Sequence, residues 1–304
     1  MQSLTDTSAA AISAGRREDR RARFAETPRQ WLERQVLGLA YTLKPVRIGE
    51  ALPLALASVA DFLTSAPAAP QIGRVNDRPP GYGGRVRDES PEVVLDGMRA
   101  GFYPHSHIGP LKWWSPPKRA VMSLSDVHIA KRFRRTLRGT DLTVSLDRAF
   151  DDVLLGCAAR RPGRPHLTWL RPGTLHLYSR LFDKGHAHSV EVWNAEGALV
   201  GGLFGVALGP VFGAMSMFHI ADNASKIGIV SLYHHLSEWG FTTVDHQNMS
   251  AWVETLGGQV VPRADYVSML SGPAPAKSAS GRWQAEFTPQ QTADWTPPGA
   301  TTQD

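Results

Sequence analysis

The sequence predicts a mixed α/β fold. Residues 187–218 read as three consecutive strands divided by turn signals. After Asp222, apolar runs with helical spacing alternate with short β-rich runs. The chain has 304 residues, 42% hydrophobic and 20% charged, which suits one large or two modest globular domains.

In chain order, residues 1 to about 25 are small and polar, then Arg-rich, and are expected to be disordered. Pro28 to Leu63 has helical spacing, which Pro45 and Pro53 should interrupt. APAAP (66–70) and NDRPPGYGG (76–84) read as linkers or loops. A helix is expected from Pro91 to Ala100, stopped at Gly101. Leu142 to Leu146 alternates as a strand, and Ala149 to Ala159 and Arg171 to Lys184 have helical spacing. Strands follow near 187–193, 198–208 and 211–218. Asp222 or Asn223 should cap a helix that buries Ile227, Val230, Tyr233 and Leu236 and stops at Gly240. Next come a strand from Phe241 to Asp245, a short helix from Ser250 to Leu256, and a strand from Gln259 to Val261. From Gly272 on, Pro, Ala, Ser, Gln and Thr dominate, so the tail is expected to be unstructured.

Residues 198–218 carry no charge and are long enough to cross a bilayer. Gly201, Gly205, Gly209 and Gly213 even repeat at the spacing of close helix packing. Gly209-Pro210 breaks the run and basic flanks are missing, so a buried antiparallel meander is the better reading. Net charge is +5, which favours a polyanionic partner. A single cysteine, Cys157, excludes an internal disulfide framework and a Cys-built zinc site, and a reducing, cytoplasmic home is expected. His105/His107, His186/His188 and His234-His235 lack carboxylate partners at a recognisable spacing, so no metal is expected.

Five strings in order carry a resemblance: GFYPHSHIGPLKWWSPPKRAVM (101–122), GHAHSVEVW (185–193), LVGGLFGVALG (199–209), SMF with NASK (216–226), and VDHQ, LGG and VPR (244–263). Together they resemble the leucyl/phenylalanyl-tRNA–protein transferases over about residues 90–271. The resemblance implies a small N-terminal domain (76–118) and a GNAT-like acyltransferase domain (119–271), with an extension (1–75) and tail (272–304) outside it. It also implies transfer of Leu, Phe or sometimes Met from aminoacyl-tRNA to proteins beginning with Arg or Lys. No cofactor, metal or membrane is implied. The Q/R-x-x-G-x-G/A loop with which GNAT enzymes grip acetyl-CoA is missing, and Asn223-Ala-Ser-Lys226 opens the helix instead.

An aminoacyl ester is already activated, and an α-amine with a pKa of about 7.7–8.0 is partly neutral at pH 7. Alignment, a proton path and oxyanion stabilisation therefore suffice. The resemblance places Asp245 and Gln247 on the family's catalytic Asp-x-Gln, with Asp245 as polarising or proton-accepting group and Gln247 as relay. Two apart on a strand end, both are expected to face one way. A simple turn cap is the competing reading for Asp245. Trp169 matches a tryptophan near the aminoacyl end of the tRNA, where it could stack on the terminal adenine, or it packs in the core. Met215, Ser216, Met217 and His105 complete the expected aminoacyl pocket. Lys131, Arg132, Arg134, Arg135 and Arg138 form the expected tRNA-binding patch, as the matching family region is basic; alone they would read as a solvated face. Cys157 is expected to be buried and inert.

Two positions depart from the family. A glutamate normally precedes Ser-Met-Phe, and here Met215 stands there. A family tryptophan is His105. Altered amino-acid preference, a different acceptor, and a non-catalytic tRNA- or peptide-binding protein are the alternatives this opens.

Overall fold

The computed structural model describes residues 18–64, 69–161, 163, 165–279 and 281–299. Of the segments expected to be disordered or linking, residues 1–17, 65–68, 280 and 300–304 lie outside this description. Residues 18–23 are helical, against expectation. Their charge is not simply solvated: buried Arg20 pairs with Asp151 at 2.8 Å and Asp183 at 2.5 Å. Phe24 is buried in the main core beside His176.

Two helices follow, α1 (Pro28–Thr42) and α2 (Pro45–Leu63). Thr27 and Gln30 cap α1 reciprocally, and Pro28 starts it where no backbone donor is needed. Pro45 does separate the helices, but Pro53 lies inside α2. A small antiparallel sheet comes next, from β1 (Tyr82–Arg85), β2 (Tyr103–His105) and β3 (Lys112–Trp114), in the order β1-β3-β2. Helix α3 (Pro91–Arg99) sits between β1 and β2 in the chain, and Trp113 is buried edge-on against Phe102.

The larger sheet has seven strands: β4 (Lys118–Ser123), β5 (Thr143–Leu146), β6 (Ala187–Trp193), β7 (Leu199–Leu208), β8 (Val211–His219), β9 (Thr243–Gln247) and β10 (Gln259–Pro262). Their order is β10-β4-β9-β8-β7-β6-β5, antiparallel except for the β8–β9 pair. The helices are α4 (Lys131–Arg138), α5 (Phe150–Ala158), α6 (Pro172–Asp183), α7 (Ala224–Glu238), α8 (Ala251–Thr255), α9 (Arg263–Leu270) and α10 (Pro289–Asp294). Helix α7 makes the crossover that lets β8 and β9 run parallel. The mixed α/β class is therefore observed, and the 187–218 meander is in place.

Alternation along β7 builds two cores. Phe204, Val206 and Leu208 join a cluster with Phe150 and Tyr178, while Leu203 and Ala207 join one with Tyr233 and Leu236. The glycine repeat serves this packing. A Cβ on Gly201 would lie 2.7 Å from that of Ala224, and one on Gly202 3.1 Å from Val153, so α7 and α5 press directly on the sheet. Among the described residues no helix is long and apolar enough to cross a membrane. Cys157 is buried, and burial pushes its thiol up to about 12.

The tail is the largest departure from expectation. Trp283, Ala293 and Trp295 are buried in the α7-side core. The Trp283 ring stacks on His188 at 3.6 Å, and the Trp283 backbone N–H donates to Asp147 at 2.7 Å. Helix α10 carries its own reciprocal cap, Thr288 with Gln291. A few aromatics at the right spacing outweigh a polar composition once a groove receives them. Strand β4 and helices α4 and α9 were also absent from the expected elements.

Candidate active site

A cavity of about 520 Å³ opens where the middle of β8 and the end of β9 meet the small sheet and the N-terminal helices. Ala214 and Met215 of β8, His246 and Gln247 of β9, and Tyr103, His105 and Trp114 line it. Tyr41 of α1 and Glu50, Ala51 and Leu54 of α2 close another side.

Asp245 does not line this cavity. Its carboxylate is buried and takes bonds from Arg119 at 2.7, 3.0 and 3.1 Å, the Tyr266 hydroxyl at 3.0 Å and the Gln247 N–H at 2.8 Å. The Arg119 guanidinium is itself layered between the Tyr103 and Tyr266 rings, 4.7 and 4.4 Å from their centroids. Burial opposes the Arg119 charge, but Asp245 outweighs it and raises the pKa. The expected shared face of Asp245 and Gln247 is broken by a bulge. Consecutive Val121 and Ala120 of β4 oppose Asp245 and Gln247, leaving His246 as the extra residue. Gln247 adopts φ +62°, costly for a side-chain-bearing residue, and its N–H bond to Asp245 holds it there. Asp245 thus caps the turn that holds Gln247, while Gln247 lines the cavity.

The Gln247 amide donates to the Ala214 carbonyl and the Met215 sulfur, both at 3.4 Å. Met215 therefore stands directly beside the amide, without a charge. Ala214, Met215, His246 and Asn248 also line a second cavity of about 300 Å³, and so partition the two. Ser216 and Met217 face this smaller space with Lys226, Trp252 and Val253, and the Lys226 ammonium lies 4.5 Å from the Trp252 ring centroid. The single pocket expected for His105, Trp169, Met215, Ser216 and Met217 is therefore two. His246 bonds the Tyr233 hydroxyl at 2.6 Å, and burial pushes it down to about 4, so it is neutral at pH 7.

Trp169 lines the larger cavity, half-buried, tilted against His105 at 5.3 Å and edge-on to Tyr178 at 5.9 Å. Trp114 lines it too and donates to the His105 carbonyl at 3.0 Å. The Lys112 ammonium contacts Ser106, Ile108 and Pro110 oxygens at 3.2, 3.1 and 3.1 Å, and burial lowers it to about 8. Sequence reasoning missed Arg119, Tyr266, Lys112, Glu50 and His246. An arginine heading the apolar β4 was the one available signal, because a buried cation demands a carboxylate.

The basic patch divides on helix α4. Arg134 is half-buried and donates to the Ala293 and Trp295 carbonyls at 2.6 and 2.9 Å, so it fastens the C-terminal segment. Arg138 pairs with Asp294 at 2.7 Å. Lys131, Arg132 and Arg135 are exposed. Arg132 and Arg135 line an open cleft of about 420 Å³ with Asp222 and Asn223 at the start of α7. Among the described residues no group of three or more His, Cys, Asp or Glu is placed to hold a metal ion.

Residues 121–271 match the family model described as leucyl/phenylalanyl-tRNA protein transferase. A leucyl/phenylalanyl-tRNA–protein transferase of Nitratidesulfovibrio vulgaris is 42% identical over 210 residues, 68% of this chain and 88% of that protein. One from Stutzerimonas stutzeri is 40% identical over 199 residues, covering 65% and 87%. One from Aromatoleum aromaticum is 37% identical over 227 residues, covering 74% and 94%. Among solved structures, L-PGS from Bacillus licheniformis aligns over half of each chain at 13% identity with a TM-score of 0.30, a weak likeness. The residues that build the cavity's β8 and β9 walls fall inside the matched span, and the chain belongs to the leucyl/phenylalanyl-tRNA–protein transferase family.

Proposed function

We propose that this protein moves Leu or Phe, and on the same chemistry Met, from charged tRNA to the N-terminal amine of proteins beginning with Arg or Lys. In the cytoplasm such transfer marks its acceptors for degradation. The observation that carries this reading is Gln247, an amide held in a strained backbone conformation and turned into a cavity by a buried Arg119–Asp245–Tyr266 network. The amide oxygen accepts an N–H of the incoming amine and aims its lone pair at the ester carbonyl. A C–N bond forms, the ester C–O bond breaks, and the amine's proton passes to the departing ribose oxygen. No resident cofactor is needed. The carried side chain fits the smaller cavity, against Met217, Trp252 and Val253, while the terminal adenine stacks on Trp169 in the larger. Exposed Lys131, Arg132 and Arg135 hold tRNA phosphates.

Met215 favours a refinement of this reading. A glutamate there would hold the substrate's ammonium by a charge-assisted bond that a thioether cannot supply. Amino-acid preference then rests on side-chain fit in the smaller cavity. The test is transfer of label from tRNA charged with Leu, Phe or Met to an Arg-initiated peptide. Gln247→Ala should lower transfer on the order of a hundredfold, and Met215→Glu should change the ranking of the three. Absence of transfer from every charged tRNA would overturn the proposal and leave a tRNA- or peptide-binding protein.

A further inference from the structure

We infer that Glu50, on a helix outside the span that the family model matches, receives the basic side chain of the acceptor's first residue. This rests on the transferase reading above. The family model's match begins at 121, yet Glu50, Ala51 and Leu54 of α2 line the larger cavity together with Met215 and Gln247. Glu50 is the single carboxylate among the described residues that line it. The other charged lining group, Lys112, turns its ammonium to three oxygens of its own loop. Asp245 is sealed beneath Arg119 and reaches the cavity only through Gln247. A cation entering this space therefore has one anionic partner.

Depth decides which cation that is. The α-ammonium of an aminoacyl ester is bonded to the carbon beside the reacting carbonyl, so it stays within about 2.5 Å of the reaction centre. That places it near Gln247 and buried Met215, away from an exposed rim residue such as Glu50. A guanidinium or ammonium at the end of an Arg or Lys side chain sits about 6 Å from its own α-carbon. With the acceptor's amine at Gln247, such a side chain reaches outward to the rim. Helix α2 is fixed for this role from its far end. Asp61 accepts the Arg85 N–H at 2.8 Å and pairs with Arg87 at 3.2 Å, tying α2 to β1 and the segment that follows it.

The test uses the full chain, charged tRNA, and two peptides that differ only in beginning with arginine or with citrulline, its uncharged isostere. Glu50→Gln should raise KM for the arginine peptide roughly three- to fivefold, as for a partly exposed ion pair. It should leave kcat and the citrulline KM unchanged, and Glu50→Lys should widen the effect. An unchanged ratio of the two KM values in both variants, or an equal rise for both peptides, would overturn the assignment of Glu50 while transfer itself stands. If the unmodified chain transfers nothing, the transferase reading fails and this inference falls with it.

Discussion

The two segments that flank the matched residues behave in opposite ways. The N-terminal helices are rich in apolar residues and leave many of them in water: Trp31, Leu32, Leu52, Leu56, Phe62 and Leu63 are each more than half exposed. The C-terminal segment is poor in apolar residues but buries the few it has, with Trp283 only 1% exposed. Each segment also has polar anchors, Asp61 with Arg85 and Arg87 on one side and Arg134 with two backbone carbonyls on the other. What differs is the surface available. Helix α2 lies at the rim of a cavity, while the C-terminal segment covers the apolar face of α7. Composition reports how much apolar surface a segment carries, and the receiving groove decides whether it is buried.

Truncating one aromatic from each segment should break the symmetry most visibly. Trp283→Ala is expected to cost about 3–5 kcal/mol in chemical denaturation, because it leaves a cavity beneath His188 and Phe212. Trp31→Ala, at a half-exposed site, should stay within about 0.5 kcal/mol. Equal costs would mean that both segments are packed alike.

The arginines of α4 sharpen the contrast between structure and binding. Arg134→Ala strands two carbonyls and should cost about 1–3 kcal/mol of stability. Arg132→Ala with Arg135→Ala should leave stability unchanged, weaken tRNA binding, and reduce its salt slope by roughly one for each phosphate no longer neutralised. A thermal melt beside a salt titration of tRNA binding separates the two, and Arg134→Ala with unaltered stability would remove it from the C-terminal seam.

The smallest effect is pH-dependent and confined to the C-terminal side. His234 stacks on Phe287 at 4.0 Å, and burial, helped by neighbouring His235, pushes it down to about 4. His235 accepts the Glu286 and Phe287 N–H groups at 2.9 and 3.0 Å, and burial lowers it as well. Both are therefore lowered from an unfolded value near 6.5. The stability of the neutral pair is fully present above about pH 6.5 and is lost progressively below it, as His234 protonates in the fold at about 4. Limited proteolysis between pH 6.5 and 4.5 should first cut within residues 272–299, while the histidine-free segment 28–63 keeps its cleavage rate. Cutting that is independent of pH would rule out histidine control of the seam.

Much of the fold was legible in the sequence. Strand alternation in β6–β8, the Gly209-Pro210 turn and the stop of α7 at Gly240 follow from local periodicity and from backbone freedom at glycine, whereas Asn223 stands at the start of α7 with φ +61° and without the expected side-chain cap. Gln247 was identified through its motif and does face the cavity. The orientation of Asp245 was not legible, because it depends on one extra residue in the pairing of β9 with β4. Arg119 was missed for a related reason: its partner lies 126 positions away, and no local pattern announces so distant a pair.

The sequence by itself determined the mixed α/β class, the buried meander, the inert thiol of Cys157 and the family motifs, since each is written in short-range spacing or in residues that keep their order. Tertiary structure alone decided three things. It turned Asp245 away from the cavity, split one expected pocket into two at Met215, and brought Glu50 of α2 to the cavity rim. All three are matters of register and contact between distant segments. One strand bulge or one helix placement resets which side chains meet, and neither leaves a periodic trace in the chain.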